Sequence, residues 1–202
     1  MGQIIIEKNL DGIEGLCLIT PAVHGDSRGY FFESYNRNDM IEAGIDITFV
    51  QDNQSMSAKG VLRGLHFQKH YPQTKLVRVI KGTVFDVAVD LRENSPTFGK
   101  WHGEILSDEN KKQYFIPRGF AHGFLVLSDS AEFCYKCDDF YHPNDEGGMA
   151  WNDPEIGIVW PMLEGAYKGT ASMEGYTVDG TPLNLSDKDQ KWVGIKDTFT
   201  FK

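Results

Sequence analysis

The sequence has few cysteines, and their spacing does not favour a metal or redox site. Three cysteines occur in 202 residues, an odd number that cannot pair off completely into disulfides. Cys134 and Cys137 form a C-x-x-C, which is compatible with zinc or redox chemistry, but the surrounding AEFCYKCDDF is typical of a β-strand. An odd spacing in a strand directs two side chains to opposite faces. We therefore expect reduced, structural cysteines.

Basic residues and long apolar runs are also scarce. Lys and Arg number 20 against 29 Asp and Glu, so the formal net charge is −9 at pH 7. This balance argues against nucleic acid and anionic membrane surfaces as partners, because both are negatively charged. No window approaches the roughly 20 apolar residues of a membrane helix, and MGQIIIEKNL lacks the pattern of a signal peptide. We expect a cytoplasmic protein, and an anionic small molecule held by a few arginines stays compatible with the charge.

Short apolar stretches, broken every ~8–12 residues by Gly, Pro, Asn or Asp, extend along most of the chain and predict an all-β sandwich or barrel. No helical periodicity competes, although one or two helical turns are expected near 38–44. The length favours a single domain over residues 1–202. Within it we expect a barrel core at about 15–162, a surface excursion at about 163–184 and a C-terminal segment at 185–202, with a short helix capped by Ser186.

Two segments carry the strongest pattern: GVLRGLHFQKHYPQTKLVRVIKG at 60–82 and PRGFAHGFLVL at 117–127. Their spacing resembles the paired motifs of the cupin superfamily, jelly-roll β-barrels in which a His-x-His, a Glu and a distant His hold one metal. His66 and His122 keep two of these positions, but Gln68 and Lys75 replace the other two ligands. A lysine ammonium has no lone pair and repels a nearby cation. We expect a cupin pocket without a metal, with His66, Lys75 and Gln68 pointing inward.

Further stretches extend the resemblance along most of the chain, in order. They include GDSRGYFFESYN, FVQDNQSMS, KLVRVIKGTVFDVAVDLRENSPTFGKW, AEFCYKCDDFY, WNDPEIGIVWP and LSDKD. Together they resemble the dTDP-4-dehydrorhamnose 3,5-epimerase family. The resemblance implies epimerisation at C3 and C5 of dTDP-4-keto-6-deoxyglucose, giving dTDP-4-keto-L-rhamnose, in dTDP-L-rhamnose biosynthesis. It also implies a homodimer and no cofactor.

The resemblance assigns four residues to the chemistry. His66 matches the base that removes a proton next to the C4 ketone, and Tyr135 matches the acid on the opposite face of the sugar. Lys75 matches the cation beside the C4 oxygen, where it offsets the negative charge of an enolate. Asp189 matches the carboxylate that orients His66, with Asp86 left open as the alternative partner. Each residue also has a structural reading, such as a core histidine or a rim tyrosine.

The resemblance also assigns the binding residues. Arg28 and Arg63 match contacts to the diphosphate, and Arg28 and Glu33 are expected across the dimer interface. His122 either contacts substrate or fills the place of a former metal ligand. The residues expected around the nucleotide and sugar are Phe31, Glu33, Gln51 and Asn53.

Strict alternation along VLRGLHFQ would put Arg63 and His66 on opposite faces of a strand. Gly64 lies between them and could host a bulge that re-aims one side chain. Three other readings stay open: a related epimerase acting at only one carbon, a metal-dependent cupin, and a sugar-binding cupin without catalysis.

Overall fold

The computed structural model describes residues 4–202, and nearly all of its regular structure is β. The strands are β1 (Ile4–Lys8), β2 (Cys17–Pro21), β3 (His24–Asp26), β4 (Gly29–Phe31), β5 (Gln51–Ala58), β6 (Leu62–Gln68), β7 (Lys75–Lys81), β8 (Thr83–Asp90), β9 (Trp101–Ser107), β10 (Gln113–Ile116), β11 (Phe120–Val126), β12 (Ser130–Cys137), β13 (Glu146–Gly148), β14 (Leu163–Glu164), β15 (Thr177–Val178) and β16 (Thr181–Pro182). One α-helix, α1 (Arg37–Glu42), and the 3-10 helices Leu10–Gly12, Pro143–Asp145 and Asp189–Lys191 complete the elements.

Two antiparallel sheets form the body of the fold. One has six strands in the order β1-β2-β10-β7-β12-β5, and the other has five in the order β13-β6-β11-β8-β9. A short hairpin, β3–β4, and a three-stranded sheet, β14-β15-β16, lie outside them. The prediction of an all-β fold is confirmed. The two main sheets share no strand, so they face each other as a sandwich and do not close into one hydrogen-bonded barrel.

Alternation along β8 shows how the sequence builds both sides of the five-stranded sheet. Val84 and Ala88 belong to the core between the two sheets, while Phe85, Val87 and Val89 belong to the cluster on the outer face. Both faces of β8 are therefore buried, which is why its sequence is an almost continuous apolar run. Asp86 is the exception and points inward with Val84 and Ala88, as the alternation predicts.

The outer face of the five-stranded sheet is covered by the second half of the chain. Segment 163–184, expected as a surface excursion, forms β14, β15 and β16 and buries Tyr176, Val178 and Leu183 beside Trp151 and Trp160. Its apolar residues have no regular period because they come from short strands and turns. The segment is an integral layer of the packing, and it leads directly into the chain that carries Asp189.

The helices are short and lie at the periphery. Helix α1 is capped by Asn36, whose side chain accepts a hydrogen bond from the Asn38 amide, and it covers the six-stranded sheet with Met40. The prediction of a C-terminal helix capped by Ser186 is wrong: the element is a 3-10 helix of three residues whose N-cap position is Lys188, although Oγ of Ser186 accepts a hydrogen bond from the Asp189 amide at 3.2 Å. Over residues 4–202, no helix is long and apolar enough to cross a membrane.

Candidate active site

An open pocket of about 390 Å³ lies between the two sheets and is lined by residues from six strands, β5, β6, β7, β11, β12 and β13. It brings together seven of the eleven site residues expected from the sequence: Gln51, Asn53, Arg63, His66, Lys75, His122 and Tyr135. An eighth, Asp189, lies directly behind His66. The antiparallel pairing of β6 with β11, and of β7 with β12 and β12 with β5, assembles these residues from distant parts of the chain.

His66 and Asp189 form a close pair at one wall of the pocket. Nε2 of His66 lies 2.5 Å from Oδ1 of Asp189, and the Asp189 side chain is buried while the His66 side chain stays 26% exposed. Burial alone raises the pKa of Asp189, but hydrogen bonds from His66 and Trp192 outweigh it and lower the pKa overall. Asp189 is thus held as a carboxylate. Because Nε2 faces it, Nδ1 is the ring nitrogen left to take up a proton.

Gly64 allows β6 to place both Arg63 and His66 at the pocket. The pairing of β6 with β11 shifts register between His122 and Phe124, opposite Gly64, so strict alternation is interrupted there. The backbones approach so closely that a Cβ on Gly64 would lie 2.6 Å from the Cα of Gly123. The φ of Gly64, 127°, is also one that only glycine adopts readily. The sequence-based hypothesis of an irregularity at Gly64 is confirmed.

Lys75 and Tyr135 lie on neighbouring strands. Lys75 pairs with Cys137 and Val77 with Tyr135, so Lys75 and Tyr135 share one face of the sheet. Burial lowers the pKa of Lys75, and the nearby Cys137 and Asp86 oppose that shift. Burial raises the pKa of Tyr135 to about 12. The tyrosine is therefore a protonated donor at neutral pH, and the lysine proton is more readily transferred than that of an exposed lysine.

His122 pairs with Asp86, and both side chains are buried. Nε2 of His122 lies 2.9 and 3.0 Å from the two carboxylate oxygens of Asp86. Burial lowers the pKa of His122 and raises that of Asp86, although each partner opposes the shift of the other. Of the two carboxylates that the sequence left open as partner of His66, Asp189 makes the contact and Asp86 contacts His122.

Polar groups at the pocket mouth hold each other in place. Nε2 of Gln51 donates to Oδ1 of Asn53 at 3.0 Å, and Oε1 of Gln51 accepts from the Tyr141 amide at 3.1 Å. Nε of Arg63 donates to Oγ of Ser57 at 3.1 Å. These contacts orient the amides and the guanidinium before any ligand binds.

Three expected binding residues lie outside this pocket within the chain. Arg28 is in the turn of the β3–β4 hairpin, where its Nη2 lies 2.6 Å from Oδ2 of Asp26, and its side chain is 88% exposed. Phe31 is also exposed, and Glu33 accepts a hydrogen bond from Asn36. The fold of one chain therefore leaves Arg28, Phe31 and Glu33 separate from His66.

The expected position of Gln68 in the pocket is wrong. Its amide was expected in the pocket, but Nε2 donates to the carbonyls of Tyr71 and Phe140, and Oε1 accepts from the His142 amide. Both N–H groups and one lone pair of the amide oxygen are used by backbone groups, which fix the side chain away from the pocket. Gln68 instead ties together the two loops beside the pocket mouth.

Sequence reasoning missed several pocket residues, among them the polar residues Tyr141, Glu146 and Lys188. Nζ of Lys188 lies 2.7 Å from Oε1 of Glu146, which places an ion pair at the rim. The position of Lys188 directly before Asp189 in LSDKD was an available signal. Tyr141 comes from an irregular loop and Glu146 from a short strand, so neither carried a comparable sequence signal.

In the part of the chain that the structure describes, no three His, Cys, Asp or Glu side chains converge in the way a metal ion requires. His66 and His122 are each already paired with a carboxylate. The donor set of the pocket thus fits proton transfer by side chains.

The fold is that of a cupin-like, jelly-roll protein, and its pocket gathers side-chain acids and bases suited to proton transfer. A family model described as dTDP-4-dehydrorhamnose 3,5-epimerase matches residues 11–197. The chain belongs to the dTDP-4-dehydrorhamnose 3,5-epimerase family.

Individual relatives agree with this assignment. A dTDP-4-dehydrorhamnose 3,5-epimerase of Methanothermobacter thermautotrophicus is 50% identical over 185 residues, covering 92% of this chain and 92% of the relative. A crystal structure of the 3,5-epimerase of Legionella pneumophila in complex with dTDP-4-keto-L-rhamnose has a TM-score of 0.85 and 45% identity, covering 96% of this chain and 94% of that one. A 3′-monoepimerase of Streptomyces bikiniensis in complex with dTDP-quinovose has a TM-score of 0.77 and 31% identity, covering 91% and 85%.

Proposed function

We propose that this enzyme epimerises C3 and C5 of dTDP-4-keto-6-deoxyglucose, giving dTDP-4-keto-L-rhamnose for dTDP-L-rhamnose biosynthesis. The observation that carries the proposal is the His66–Asp189 pair in one pocket with Lys75 and Tyr135. Membership of the 3,5-epimerase family supports the choice of two carbons over one. Arg63 in the same pocket supports an anionic, diphosphate-linked substrate.

His66 acts as the base. With Nε2 engaged by Asp189, its Nδ1 removes the proton from the carbon next to the C4 ketone, and the electron pair moves onto the C4 oxygen. Asp189 stabilises the imidazolium that forms, since it remains ionised at neutral pH. After each inversion, proton exchange with solvent returns His66 to its neutral form and Tyr135 to its phenol, so the residues serve in turn at C3 and at C5, both of which flank the ketone.

Lys75 and Tyr135 complete the cycle. An ammonium near the C4 oxygen offsets the negative charge of the enolate. Tyr135 returns a proton to the opposite face of the same carbon, which inverts its configuration. The phenol is suited to this step because its high pKa keeps it protonated at neutral pH, so that it can donate the proton to the enolate carbon.

We further propose a homodimer in which Arg28 and Glu33 enter the pocket of the partner subunit. The exposed β3–β4 hairpin supports this arrangement, because its arginine has no role within its own chain beyond the contact with Asp26 in the described structure. Phe31, on the same hairpin, is proposed to contact the nucleotide. Its ring is 66% exposed and adjoins Tyr30, which is 60% exposed, so the hairpin presents two neighbouring aromatic side chains to a ligand or partner.

We propose a cytoplasmic location as well. Cys17, Cys134 and Cys137 are all free thiols, which suits a reducing compartment.

The test is proton NMR of dTDP-4-keto-6-deoxyglucose in deuterium oxide with purified enzyme and no added metal. The proposal predicts loss of the C3 and C5 signals together with formation of the L-rhamno product, and loss of both effects in His66→Ala. Exchange at C3 alone would instead identify a monoepimerase. Binding without exchange at either carbon would identify a sugar-binding protein.

A further inference from the structure

We propose that Trp192 is a positioning residue for the His66–Asp189 pair. Its indole N–H fixes the Asp189 carboxylate and moderates how strongly that carboxylate holds the proton on His66. The inference rests on the proposed function, because it concerns the base of the same reaction.

The contacts around the Asp189 carboxylate carry the inference. Oδ1 accepts from two donors, Nε2 of His66 at 2.5 Å and Nε1 of Trp192 at 3.1 Å. Oδ2 accepts a longer bond, 3.5 Å, from the Gly64 amide. Oδ1 of Asp189 is thus shared between His66 and the indole of Trp192. The third contact, from Gly64, comes from β6, the strand that carries His66.

The fold holds the indole in this position. Gly148 pairs with His66 across β13 and β6, and a Cβ on Gly148 would lie 2.3 Å from Cε2 of Trp192. Only a glycine therefore leaves room for the ring beside His66, whose own ring lies 6.3 Å from the indole at an interplanar angle of 72°. The residue after the indole is anchored as well, because the Val193 carbonyl accepts from the Ala150 amide at 2.9 Å.

This geometry has two chemical consequences. First, the carboxylate cannot rotate freely about its Cβ–Cγ bond, so the ring of His66 keeps one orientation with Nδ1 free for the substrate. Second, the indole N–H withdraws part of the negative charge of Oδ1, which reduces the stabilisation of the His66 imidazolium. Removing this donor, with the ring retained, should leave His66 less well oriented but holding its proton more tightly.

The experiment replaces the indole N–H with minimal change of shape. Trp192 is replaced by 3-benzothienylalanine, in which sulfur stands in place of N–H, and Trp192→Phe is made in parallel. The matched control is Trp160→Phe, which also loses an indole hydrogen bond, 3.0 Å to the Trp151 carbonyl, but in the apolar cluster under the sheet. The kcat, the KM and the pH profile of kcat/KM are measured by solvent deuterium exchange at C3 and C5.

For the benzothienyl variant we expect roughly a 10-fold fall in kcat, with a nearly unchanged KM. The acid limb of its kcat/KM profile should shift to higher pH, while that of Trp160→Phe stays in place. A profile that coincides with the unmodified enzyme would overturn the inference, even if kcat falls, since a purely structural role does not move the limb. Absence of exchange in the unmodified enzyme would refute the proposed function instead.

Discussion

Two histidines face the pocket, and they differ in their own exposure and in the direction in which the pKa of their carboxylate partner is shifted. His122 and Asp86 are both buried, and burial lowers the pKa of His122 and raises that of Asp86, which favours the neutral form of each. His66 keeps a quarter of its side chain exposed to the pocket, while its partner Asp189 has a lowered pKa. A base needs both contact with its substrate and an ionised partner. The exposure of His66 and the lowered pKa of Asp189 are the features that support the proposed role of His66 as the base.

Replacing Asp189 by Asn tests its role beside His66. The charge that stabilises the imidazolium is lost while the shape is kept, so we expect kcat to fall by roughly 100-fold. The acid limb of the kcat/KM profile should move to lower pH, because His66 holds its proton less tightly without the carboxylate. Steady-state kinetics between pH 5 and 9, a range of about 4 units spanning the ordinary histidine pKa, would show this. Asp187→Asn is the matched control, since Asp187 is exposed two residues away.

Replacing Tyr135 by Phe should separate proton removal from inversion. His66 still exchanges the proton it removes, so deuterium enters with retained configuration, but no donor remains on the opposite face. We expect formation of the epimerised product to fall by roughly 100-fold or more, with exchange reduced far less. NMR measures both rates in one sample. Equal losses of exchange and product would contradict the assignment of Tyr135, and Tyr167→Phe, at an exposed tyrosine, serves as control.

At the scale of elements, glycines decide how closely the strands at the site approach. Gly64 and Gly123 face each other across β6 and β11, and Gly148 accommodates Trp192 from β13. Larger side chains at any of these positions would separate the strands that carry His66 and His122. The geometry of the pocket thus depends on three positions that carry no side chain.

Gly64→Ala should therefore cost stability and activity together. The added methyl group meets the Gly123 Cα at 2.6 Å and the His122 carbonyl at 2.9 Å, and the φ of 127° is unfavourable for alanine. Gly169→Ala is the control for backbone strain alone, because Gly169 has a φ of 131° and nothing within 4 Å of its Cβ position. We expect Gly64→Ala to lower the free energy of unfolding by about 1–3 kcal/mol more than this control. Urea titration of both variants measures the difference.

The end of β8 contains a buried carboxylate whose contribution to stability depends on pH. Asp90 accepts hydrogen bonds from Nε and Nη2 of Arg92 at 2.8 Å each, from Ser95 at 2.6 Å and from Thr97 at 2.7 Å. Burial alone raises the pKa of Asp90, but these bonds outweigh it and lower the pKa. The stabilisation is therefore complete above the ordinary carboxyl pKa of 3.8 and is lost as pH falls through the lower pKa of the folded protein.

Asp90→Asn should accordingly destabilise the protein by about 2 kcal/mol or more at pH 7. The difference in the free energy of unfolding between the two proteins should shrink as pH falls below 3.8. Urea unfolding at a series of pH values tests this. The exposed Asp129→Asn, with the same charge change, should show neither effect. A difference that is constant with pH would mean that ionisation of Asp90 does not contribute.

At the scale of the whole molecule, the net charge and the charge of the pocket have opposite signs. The chain carries a formal charge of −9, yet Arg63, Lys75 and Lys188 gather around one pocket. A diphosphate would be attracted to this local region by charge and by the bidentate geometry of a guanidinium. Arg28 would add a further cation if a partner subunit supplies it.

Mixing two inactive variants tests that arrangement. In a dimer of His66→Ala with Arg28→Ala, one pocket combines both defects and the other combines an intact His66 with an intact Arg28. Random exchange gives half hybrid dimers with one intact site of two, so we expect recovery of about a quarter of the unmodified activity. The measurement is solvent exchange after the variants are mixed under conditions that exchange subunits. Recovery no greater than the sum of the separate variants would show that Arg28 does not act across an interface.

The local pattern was enough to predict the strands and the all-β class, and the resemblance to the family supplied most of the pocket residues. Alternation along β8 follows directly from the period of two in a strand, and LSDKD and GVLRGLHFQ carry His66, Arg63 and Asp189. The family resemblance then assigned chemical roles to these residues. Gln68 was misplaced, because its cupin position does not reveal the backbone groups of Tyr71, Phe140 and His142 that occupy its amide.

The sequence by itself determined which residues are available: two histidines, a lysine, a tyrosine and several carboxylates in a β fold. Only the tertiary structure decided how they pair. Asp189 is 123 residues from His66 along the chain, and Asp86 is 36 residues from His122. Such contacts depend on strand register and on where segment 163–184 ends, because this segment leads into the chain that carries Asp189. Neither property can be predicted from a local sequence period. The indole of Trp192 joins the site for the same reason, since Gly148 leaves space for it beside His66.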